Sequence, residues 1–313
     1  MPRTAGLASC TPCSFYFMRM PVTAYSLGFN EEANLRELLP TLAWADEVLY
    51  VDSSSADGTA KLCAERGVRW VNVPFEGAAE LRKRALQLDP VEPPRVLPCL
   101  CVAALRNQAL DLARHDWVVS FDTDERCTPE FVAELRAKLA APDCAAYFVP
   151  RRNTFLGKPV RFGGMYPDYR QPQVFDRRRF RYREDLVHEG FECDGPIGYF
   201  KAPIWQHPFP TLAVVMAKNE KYTTLMARSY LAAGRKAGLT ELALHPLGGF
   251  VKKYVIQQGF RDGARGFMIA GLHAYYTFVK YAKLWEMQQA GNPKSEIRSP
   301  KEGRDPKSEI EKP

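Results

Sequence analysis

Ser120-Phe121-Asp122-Thr123-Asp124-Glu125 follows Asp116-Trp117-Val118-Val119, an apolar run that reads as a buried strand. It precedes Cys127-Thr128-Pro129-Glu130, where Thr128 suits a helix N-cap and Pro129 the first helical position. Two carboxylates one residue apart therefore sit where a strand runs out and the chain turns. Alternate residues of an extended segment face the same way, so Asp122 and Asp124 can act together. In an open α/β sheet, ligands bind beyond the carboxyl ends of the strands. Two hard oxygen ligands on a partly open Mg²⁺ or Mn²⁺ leave coordination positions for substrate phosphates. Acidic pairs are also common on plain surfaces, so the surrounding chain has to decide between the two.

Upstream, Val22 to Leu27 reads as a first strand, and Gly28-Phe29-Asn30-Glu31-Glu32 follows it. Asn30 is a good helix cap, with Glu31 and Glu32 at the favourable end of the helix dipole. Leu35, Leu38, Leu39 and Leu42 then recur at helical spacing. Glu47 to Asp52 is a second strand that again ends in an aspartate. A polar turn, Ser53 to Thr59, opens a helix bearing Leu62 and Ala64, which Gly67 ends. Val68 to Pro74 is a third strand. This alternation argues for right-handed βαβ units and a mainly parallel sheet. Residues 78–102 break the rhythm: Asp89-Pro90-Val91-Glu92-Pro93-Pro94-Arg95 cannot be regular structure, and the segment reads as an inserted surface loop. Leu105 to Ala113 is then the helix that leads into the acidic strand. Ala145 to Pro150 is another strand, and short strands and loops are expected up to about residue 210. The basic run Arg177-Arg178-Arg179 with Arg181 and Arg183 is either a solvated face or a contact for phosphate or lipid headgroups.

Composition is globular: 313 residues, 46% hydrophobic, 25% charged and 12% aromatic, enough for a sizeable core. The net charge of +7 favours anionic partners such as phosphates, anionic lipid or nucleic acid. Eight cysteines, with a single C-x-x-C at Cys10 and Cys13, read as reduced and structural in a cytosolic compartment. Residues 1–20 read as an N-terminal extension without a secretory signal. No uncharged run reaches the roughly 20 residues that span a bilayer. Residues 211–235 look helical. Residues 247–289 are the most apolar region, with Met268, Leu272, Tyr275 and Val279 on one helical face. Lys252, Lys253, Arg261, Arg265, Lys280 and Lys283 accompany it, which suits an interfacial membrane helix as well as a helix packed on the core. From 291 the chain is a polar tail in which Pro-Lys-Ser-Glu-Ile occurs twice. The organisation expected is an extension (1–20), a catalytic α/β domain (21–210), a helical region (211–290) and a disordered tail (291–313).

No G-x-G-x-x-G and no Walker A pattern is present, so a dinucleotide or P-loop reading has little support. What remains is three strand ends with acidic loops: Asn30-Glu31-Glu32, Asp52 with Asp57, and Asp122 with Asp124. Together with Trp44-Ala45-Asp46-Glu47-Val48 and Leu105-Arg106-Asn107-Gln108-Ala109-Leu110, these segments resemble family 2 glycosyltransferases, inverting enzymes of the GT-A fold. Arg151-Arg152-Asn153-Thr154-Phe155-Leu156-Gly157, Gly163-Gly164-Met165-Tyr166-Pro167-Asp168-Tyr169 and Leu186-Val187-His188-Glu189-Gly190 look like the lipopolysaccharide core β-glucosyltransferase subgroup. Gly259-Phe260-Arg261-Asp262-Gly263 and Lys280 to Glu286 are similar to that subgroup's membrane-proximal end. The resemblance covers roughly residues 21–287, with the insertion and Thr123 as departures.

The resemblance implies a GT-A fold with a C-terminal helical, membrane-proximal extension. It implies transfer of a sugar, with glucose and a UDP-sugar donor expected, to a cell-envelope glycolipid or polysaccharide such as lipopolysaccharide core. The donor's leaving group is a nucleoside diphosphate, whose developing charge a metal on Asp124, with Asp122 nearby, neutralises. His207 is a third, weaker metal candidate. Asn30, Glu32, Asp52 and Asp57 are expected to bind the donor, with Asp52 and Glu32 at the base and ribose, because carboxylates accept from ring N–H groups and hydroxyls. Arg106 suits the diphosphate, or else is a surface helix charge. Inversion needs one base for the acceptor hydroxyl, with Glu189 and Asp168 as candidates. The expected location is cytoplasmic, peripheral on the inner face of the cell membrane, on an anionic lipid surface. A metal-dependent sugar nucleotidyltransferase is an alternative, but it would open with a Gly-rich basic loop. A basic nucleic-acid-binding protein is another, and the acidic strand ends argue against it, so nucleic acid is not an expected partner.

Overall fold

The computed structural model describes residues 20–73, 97–183 and 190–290. The expected N-terminal extension up to residue 19, residues 78–96 of the insertion, Glu189 with His188, and the expected tail lie outside these. By internal contacts the chain divides into two units, Met1–Leu212 and Ala213–Pro313.

The first unit is built on a seven-stranded sheet among the described residues. Its first three strands are β1 (Val22–Gly28), β2 (Glu47–Asp52) and β3 (Arg69–Asn72). The remaining four are β4 (Trp117–Phe121), β6 (Ala146–Phe148), β9 (Pro172–Asp176) and β12 (Ile197–Tyr199). They lie in the order β12-β6-β9-β4-β1-β2-β3. β4, β1, β2 and β3 run parallel, β9 is antiparallel to both its neighbours, and β12 is parallel to β6. The mainly parallel α/β sheet expected from strand–helix alternation is therefore present. The carboxyl ends of β1, β2, β4, β6 and β12 all fall on the same edge, because β9 reverses direction once and β6 reverses it again.

The alternation along β2 shows how the sheet is clamped between two apolar layers. Tyr50 packs with Leu35, Leu38, Leu62, Phe121 and Phe131, while Leu49 and Val51 pack with Tyr25, Ala109, Leu110 and Phe175. Period-2 side-chain geometry sends neighbours to opposite faces, and both faces are covered. α1 (Glu32–Leu38) and α2 (Thr59–Glu65) contribute to the first layer, and α3 (Leu97–Leu112) to the second. α4 (Pro129–Ala140) starts as its sequence predicts: Thr128 Oγ1 accepts from Phe131 N at 3.1 Å, and Pro129 takes the first position. Phe131 is fully buried, with Phe121 edge-on at 6.2 Å and Phe200 at 5.2 Å, and its truncation to alanine costs about 3–5 kcal/mol.

Two local expectations change. α3 begins at Leu97, so residues 97–102 belong to the helix that leads into β4 and not to the inserted loop. Asn30 does not cap α1; the residue before the helix is Glu31, with no side-chain cap of its own. Asn30 has a positive φ of 55°, and its side chain reaches across to the loop after β2.

A second, four-stranded sheet has the order β5-β13-β7-β8 among the described residues. It contains β5 (Glu125–Arg126), β13 (Ile204–Phe209), β7 (Arg151–Phe155) and β8 (Lys158–Pro159). The pairing of β5 with β13 sets Gln206 against Glu125, so the acidic turn is held next to a segment some eighty residues later. A hairpin of β10 (Phe180–Arg183) and β11 (Gly190–Cys193) completes the unit.

The second unit is helical: α5 (Leu212–Ala232), α6 (Leu239–Val251) and α7 (Gly263–Ala290), with a π turn at Lys252–Ile256 and a 3₁₀ turn at Gly259–Asp262. The apolar region from 247 is thus two helices with a break. Gly266 sits so close to Gly259 O that no Cβ fits there. The buried positions of α7 are Gly266, Ala270, Thr277, Tyr281 and Leu284, whereas Met268, Leu272 and Val279 are half-buried and Tyr275 is exposed. The buried stripe is therefore a different one from the face of Met268, Leu272, Tyr275 and Val279: small residues let the chain approach closely, and the larger apolar ones lie beside the seam. No residue of α6 is buried. Among the described residues no helix is long and apolar enough to cross a membrane.

Candidate active site

β4 ends at Phe121, and the chain turns through Asp122, Thr123 and Asp124 into β5. Glu125 closes this turn. Its N–H donates to Asp122 O at 3.0 Å, and its Oε2 accepts from Asp122 N at 2.9 Å. Glu125 is fully buried. Gln173 of β9 donates to its Oε2 at 2.8 Å and the Arg151 guanidinium pairs with its Oε1. Burial pushes the Glu125 carboxyl up to about 7; Arg151 opposes the rise and Asp122 adds to it.

Asp122 stands half-exposed above this pair, and Arg106 of α3 donates to its Oδ1 at 3.1 Å. The same guanidinium donates to Ser120 Oγ at 3.0 Å and lies over the Tyr182 ring, 5.2 Å from its centre. Burial disfavours the Asp122 carboxylate, but Arg106, Arg151 and Arg170 outweigh it and hold its pKa below the usual carboxylate range. Arg106 is thus neither a surface charge nor a free cation: its side chain is 13% exposed and engaged with the acidic turn.

Asp124 meets β13. Its carbonyl accepts from His207 N at 2.8 Å, and Gln206 Nε2 lies 3.3 Å from its Oδ1. His207 Nδ1 is 2.9 Å from Thr154 Oγ1, and its ring lies parallel to that of Trp205. Burial, and then Arg126, lower the His207 pKa, which keeps the imidazole neutral at pH 7. The structure therefore brings Asp122, Asp124, His207 and Arg106 to one turn. Among the described residues no three His, Cys, Asp or Glu side chains converge on a cation position. The two carboxylates, Asp122 and Asp124, are hard oxygens of the kind that suits an open site completed by a ligand's own oxygens, while His207 does not join them in a three-ligand set.

The first two strand ends are sewn to each other. Glu32 N donates to Asp57 Oδ2 at 3.1 Å, while Glu32 Oε2 accepts from Gly58 N at 3.0 Å and Oε1 pairs with Arg36. Asp57, not Asn30, is the side chain that accepts from the first N–H of α1. Asn30 Oδ1 accepts from Ala56 N at 2.8 Å, and Asn30 N donates to Ser55 Oγ at 2.7 Å. Asp52 is fully buried; its Oδ1 accepts from Ser55, and its Oδ2 from Trp70 Nε1 at 3.0 Å. Asn30, Glu32, Asp52 and Asp57 thus form one bonded cluster at the ends of β1 and β2, with the amide of Asn30 and the three carboxylates engaged within the protein.

Asp168 joins the Arg151 side of the acidic turn. Arg151 N donates to Asp168 O at 3.2 Å, and Asp168 Oδ2 accepts from Asn153 at 3.2 Å and from Arg170 at 2.7 Å. Glu189 falls outside the described residues. Part of the basic run is paired within the fold: Arg178 with Asp176 and Asp116, and Arg181 with Asp111. Sequence reasoning did not single out Glu125, Gln173, Asn153 or Gln206, the buried polar groups that hold the acidic turn and Asp168. Glu125 stood inside the decisive stretch, and Asn153 inside a quoted motif, but nothing local marks a polar residue as the support of another.

Residues 102–207, the span that contains this turn, match the profile described as Glycosyl transferase family 2. The chain is thus similar to that family over this span, which lies within the α/β unit. It is 27% identical over 284 residues to the lipopolysaccharide core biosynthesis glycosyltransferase LpsC of Rhizobium meliloti (strain 1021), covering 86% of this chain and 93% of that protein. An uncharacterized glycosyltransferase of Rickettsia bellii (strain RML369-C) is 19% identical, over 87% of this chain and 88% of its own. Among solved structures, residues 1–349 of S. aureus TarS in complex with UDP align over 87% of this chain and 92% of that one, with 15% identity and a TM-score of 0.40.

Proposed function

We propose that this protein is an inverting glycosyltransferase that moves a sugar from a nucleoside-diphosphate donor to a cell-envelope saccharide or glycolipid, with UDP-glucose and lipopolysaccharide core as the specific donor and acceptor. The observation that carries this reading is the Asp122–Asp124 turn. It sits at the carboxyl end of a central parallel strand, with an ionised Asp122 and the Arg106 guanidinium on one side and His207 on the other. The relationship to LpsC supports the acceptor class.

In this reading the acceptor hydroxyl loses its proton to a carboxylate as its oxygen attacks the anomeric carbon, and the nucleoside diphosphate leaves with the bonding pair. Glu189 is the proposed base, with Asp168 as the alternative. Arg106 stands beside the diphosphate and stabilises the charge that builds on it. Asp124, with Asp122, would hold a divalent metal such as Mg²⁺ or Mn²⁺, which supplies Lewis-acid neutralisation of the leaving diphosphate. The cluster of Asn30, Glu32, Asp52 and Asp57 shapes the base and ribose end. The protein works at the inner face of the cell membrane through its helical unit.

A panel of UDP- and GDP-sugars tested by thermal shift, with Mn²⁺ and with EDTA, checks this. One donor is expected to raise Tm by an amount that grows with its concentration over Kd, since a ligand that binds only the folded state stabilises it. No shift with any nucleotide sugar in either condition overturns the reading.

A further inference from the structure

The same edge of the sheet that carries the acidic turn also carries three aromatic rings that the reaction as described does not use. β6 and β12 are parallel, and Phe148 pairs in register with Tyr199 at their carboxyl ends. Cross-strand partners lie on the same face. The two rings stack, with centres 5.2 Å apart and planes 19° from parallel. Tyr169 meets Tyr199 edge-on at 5.3 Å and anchors its hydroxyl on Phe200 O at 3.3 Å. Gly198 fixes the direction: a Cβ there would lie 2.7 Å from the Tyr147 ring, so β12 presses its glycine into the core and turns Tyr199 outward. Tyr199 is 58% exposed and Tyr169 38%.

An exposed tyrosine held rigid by two ring neighbours costs little further entropy when a ligand stacks on it, and its hydroxyl stays free to bond at the rim. Tyr169 directly follows Asp168, whose backbone carbonyl accepts from Arg151 N, and the Arg151 guanidinium pairs with Glu125 of the acidic turn. The platform is therefore continuous with the proposed site, on the side away from the cluster at β1 and β2. Sugar rings present apolar C–H faces and a hydroxyl rim, the chemistry that this surface matches. We infer that Tyr199 and Tyr169 form the docking platform for the acceptor saccharide, with the sugar's C–H face against Tyr199 and its hydroxyls toward Asp168. This rests on the glycosyltransferase reading and adds to it the place where the acceptor lies.

The test is binding of delipidated lipopolysaccharide core oligosaccharide to the full chain in the presence of UDP, followed by saturation-transfer NMR, for the wild type, Tyr199→Ala and Tyr199→Phe. Tyr199→Ala is expected to weaken oligosaccharide binding roughly three- to tenfold, Tyr199→Phe to stay within twofold because the ring is kept, and UDP affinity to be the same in all three. Unchanged oligosaccharide binding in Tyr199→Ala overturns the platform, and so does an absence of binding to the wild type. Equal loss of UDP and oligosaccharide binding in Tyr199→Ala also overturns it, because a local platform leaves the nucleotide site intact. Failure of UDP to bind the wild type would instead count against the glycosyltransferase reading itself.

Discussion

Arg106 Nη2 lies 3.1 Å from Asp122 Oδ1, and the same guanidinium reaches Ser120 Oγ, so one helix side chain grips both the end of β4 and the first residue of the acidic turn. This ion pair keeps Asp122 ionised against the cost of its burial.

Arg106→Met keeps the aliphatic stem and removes both bonds. A hydrogen bond to a charged group contributes about 1.5–3 kcal/mol, so kcat/KM for the donor is expected to fall roughly ten- to a hundredfold. Arg106→Lys should not restore it, because an ammonium cannot bridge Ser120 and Asp122 as a planar fork does. Steady-state kinetics at several donor concentrations decide the matter; wild-type kcat/KM in Arg106→Met rules this role out.

Asp124→Ala removes the proposed main metal ligand. Sugar transfer is expected to be nearly abolished with an unchanged far-UV circular dichroism spectrum, since Asp124 is half-buried in a turn between β4 and β5 and lies in no helix or strand. Chelation of the wild type should do the same, reversibly on addition of Mn²⁺. Full transfer in excess EDTA would sink the metal role.

How far the sequence carried is visible in particular residues. Strands β1, β2 and β4 were legible because the chain alternates apolar strands with amphipathic helices, and Thr128-Pro129 announced α4. The acidic turn was legible from its place after a buried strand. The link between Asp124 and His207 was not, because it arises from pairing of β5 with β13 across more than eighty residues, and no local periodicity encodes that register. The packed stripe of α7 was missed for a different reason. Reading apolar residues at helical spacing favours large side chains, whereas this helix buries Gly266 and Ala270, whose smallness lets neighbouring backbone approach. Asn30 satisfied the local rule for a cap, but its left-handed backbone turned its side chain to the β2 loop, and Asp57 filled the capping place instead.

Glu47 gives a pH test away from the site. It is buried and accepts from Thr23 Oγ1 at 2.8 Å, Arg69 Nη1 at 2.9 Å and Arg114 N at 2.8 Å. Burial disfavours its charge, but these donors prevail and its pKa lies below the ordinary carboxylate value. A depressed pKa contributes stability that is present above the unfolded-state value and is lost as pH falls through the folded one. Glu47→Gln is thus expected to cost about 1.5–3 kcal/mol at pH 7, with the gap to wild type closing as pH drops below 4. Urea unfolding of both proteins from pH 7 to 3 measures it; a gap independent of pH would show that the charge contributes nothing.

The helical unit leaves an apolar set exposed: Leu239, Leu244, Leu247, Val255 and Ile256, the last 71% accessible, beside Lys252 and Lys253. Exposed apolar side chains with lysines nearby in the chain suit an interfacial segment. The protein is expected to sediment with phosphatidylglycerol vesicles and to be partly released by high salt, because part of the attraction is screened. Leu247→Glu with Ile256→Glu should reduce the sedimented fraction without unfolding the chain. Equal recovery in the supernatant with and without vesicles refutes the assignment.

The base is the last point to separate. Asp168 is tied by Arg170 at 2.7 Å and Asn153 at 3.2 Å, both on Oδ2, an arrangement that serves a structural carboxylate as well as an oriented base. Glu189 is the candidate that the family resemblance favours. General-base catalysis contributes about 10²–10⁴-fold. Glu189→Gln keeps the side chain's shape and removes its basicity, so kcat is expected to fall by that order while donor binding, read by thermal shift with UDP-sugar, stays near wild type. Asp168→Asn is expected to lower kcat less, since it perturbs the Arg170 and Asn153 contacts but leaves Glu189 in place. A pH–rate profile adds the discriminating readout: loss of the acidic limb in Glu189→Gln alone marks that residue as the base. If Glu189→Gln retains wild-type kcat while Asp168→Asn loses two orders or more, the role passes to Asp168, with Arg170 and Asn153 as the groups that orient it.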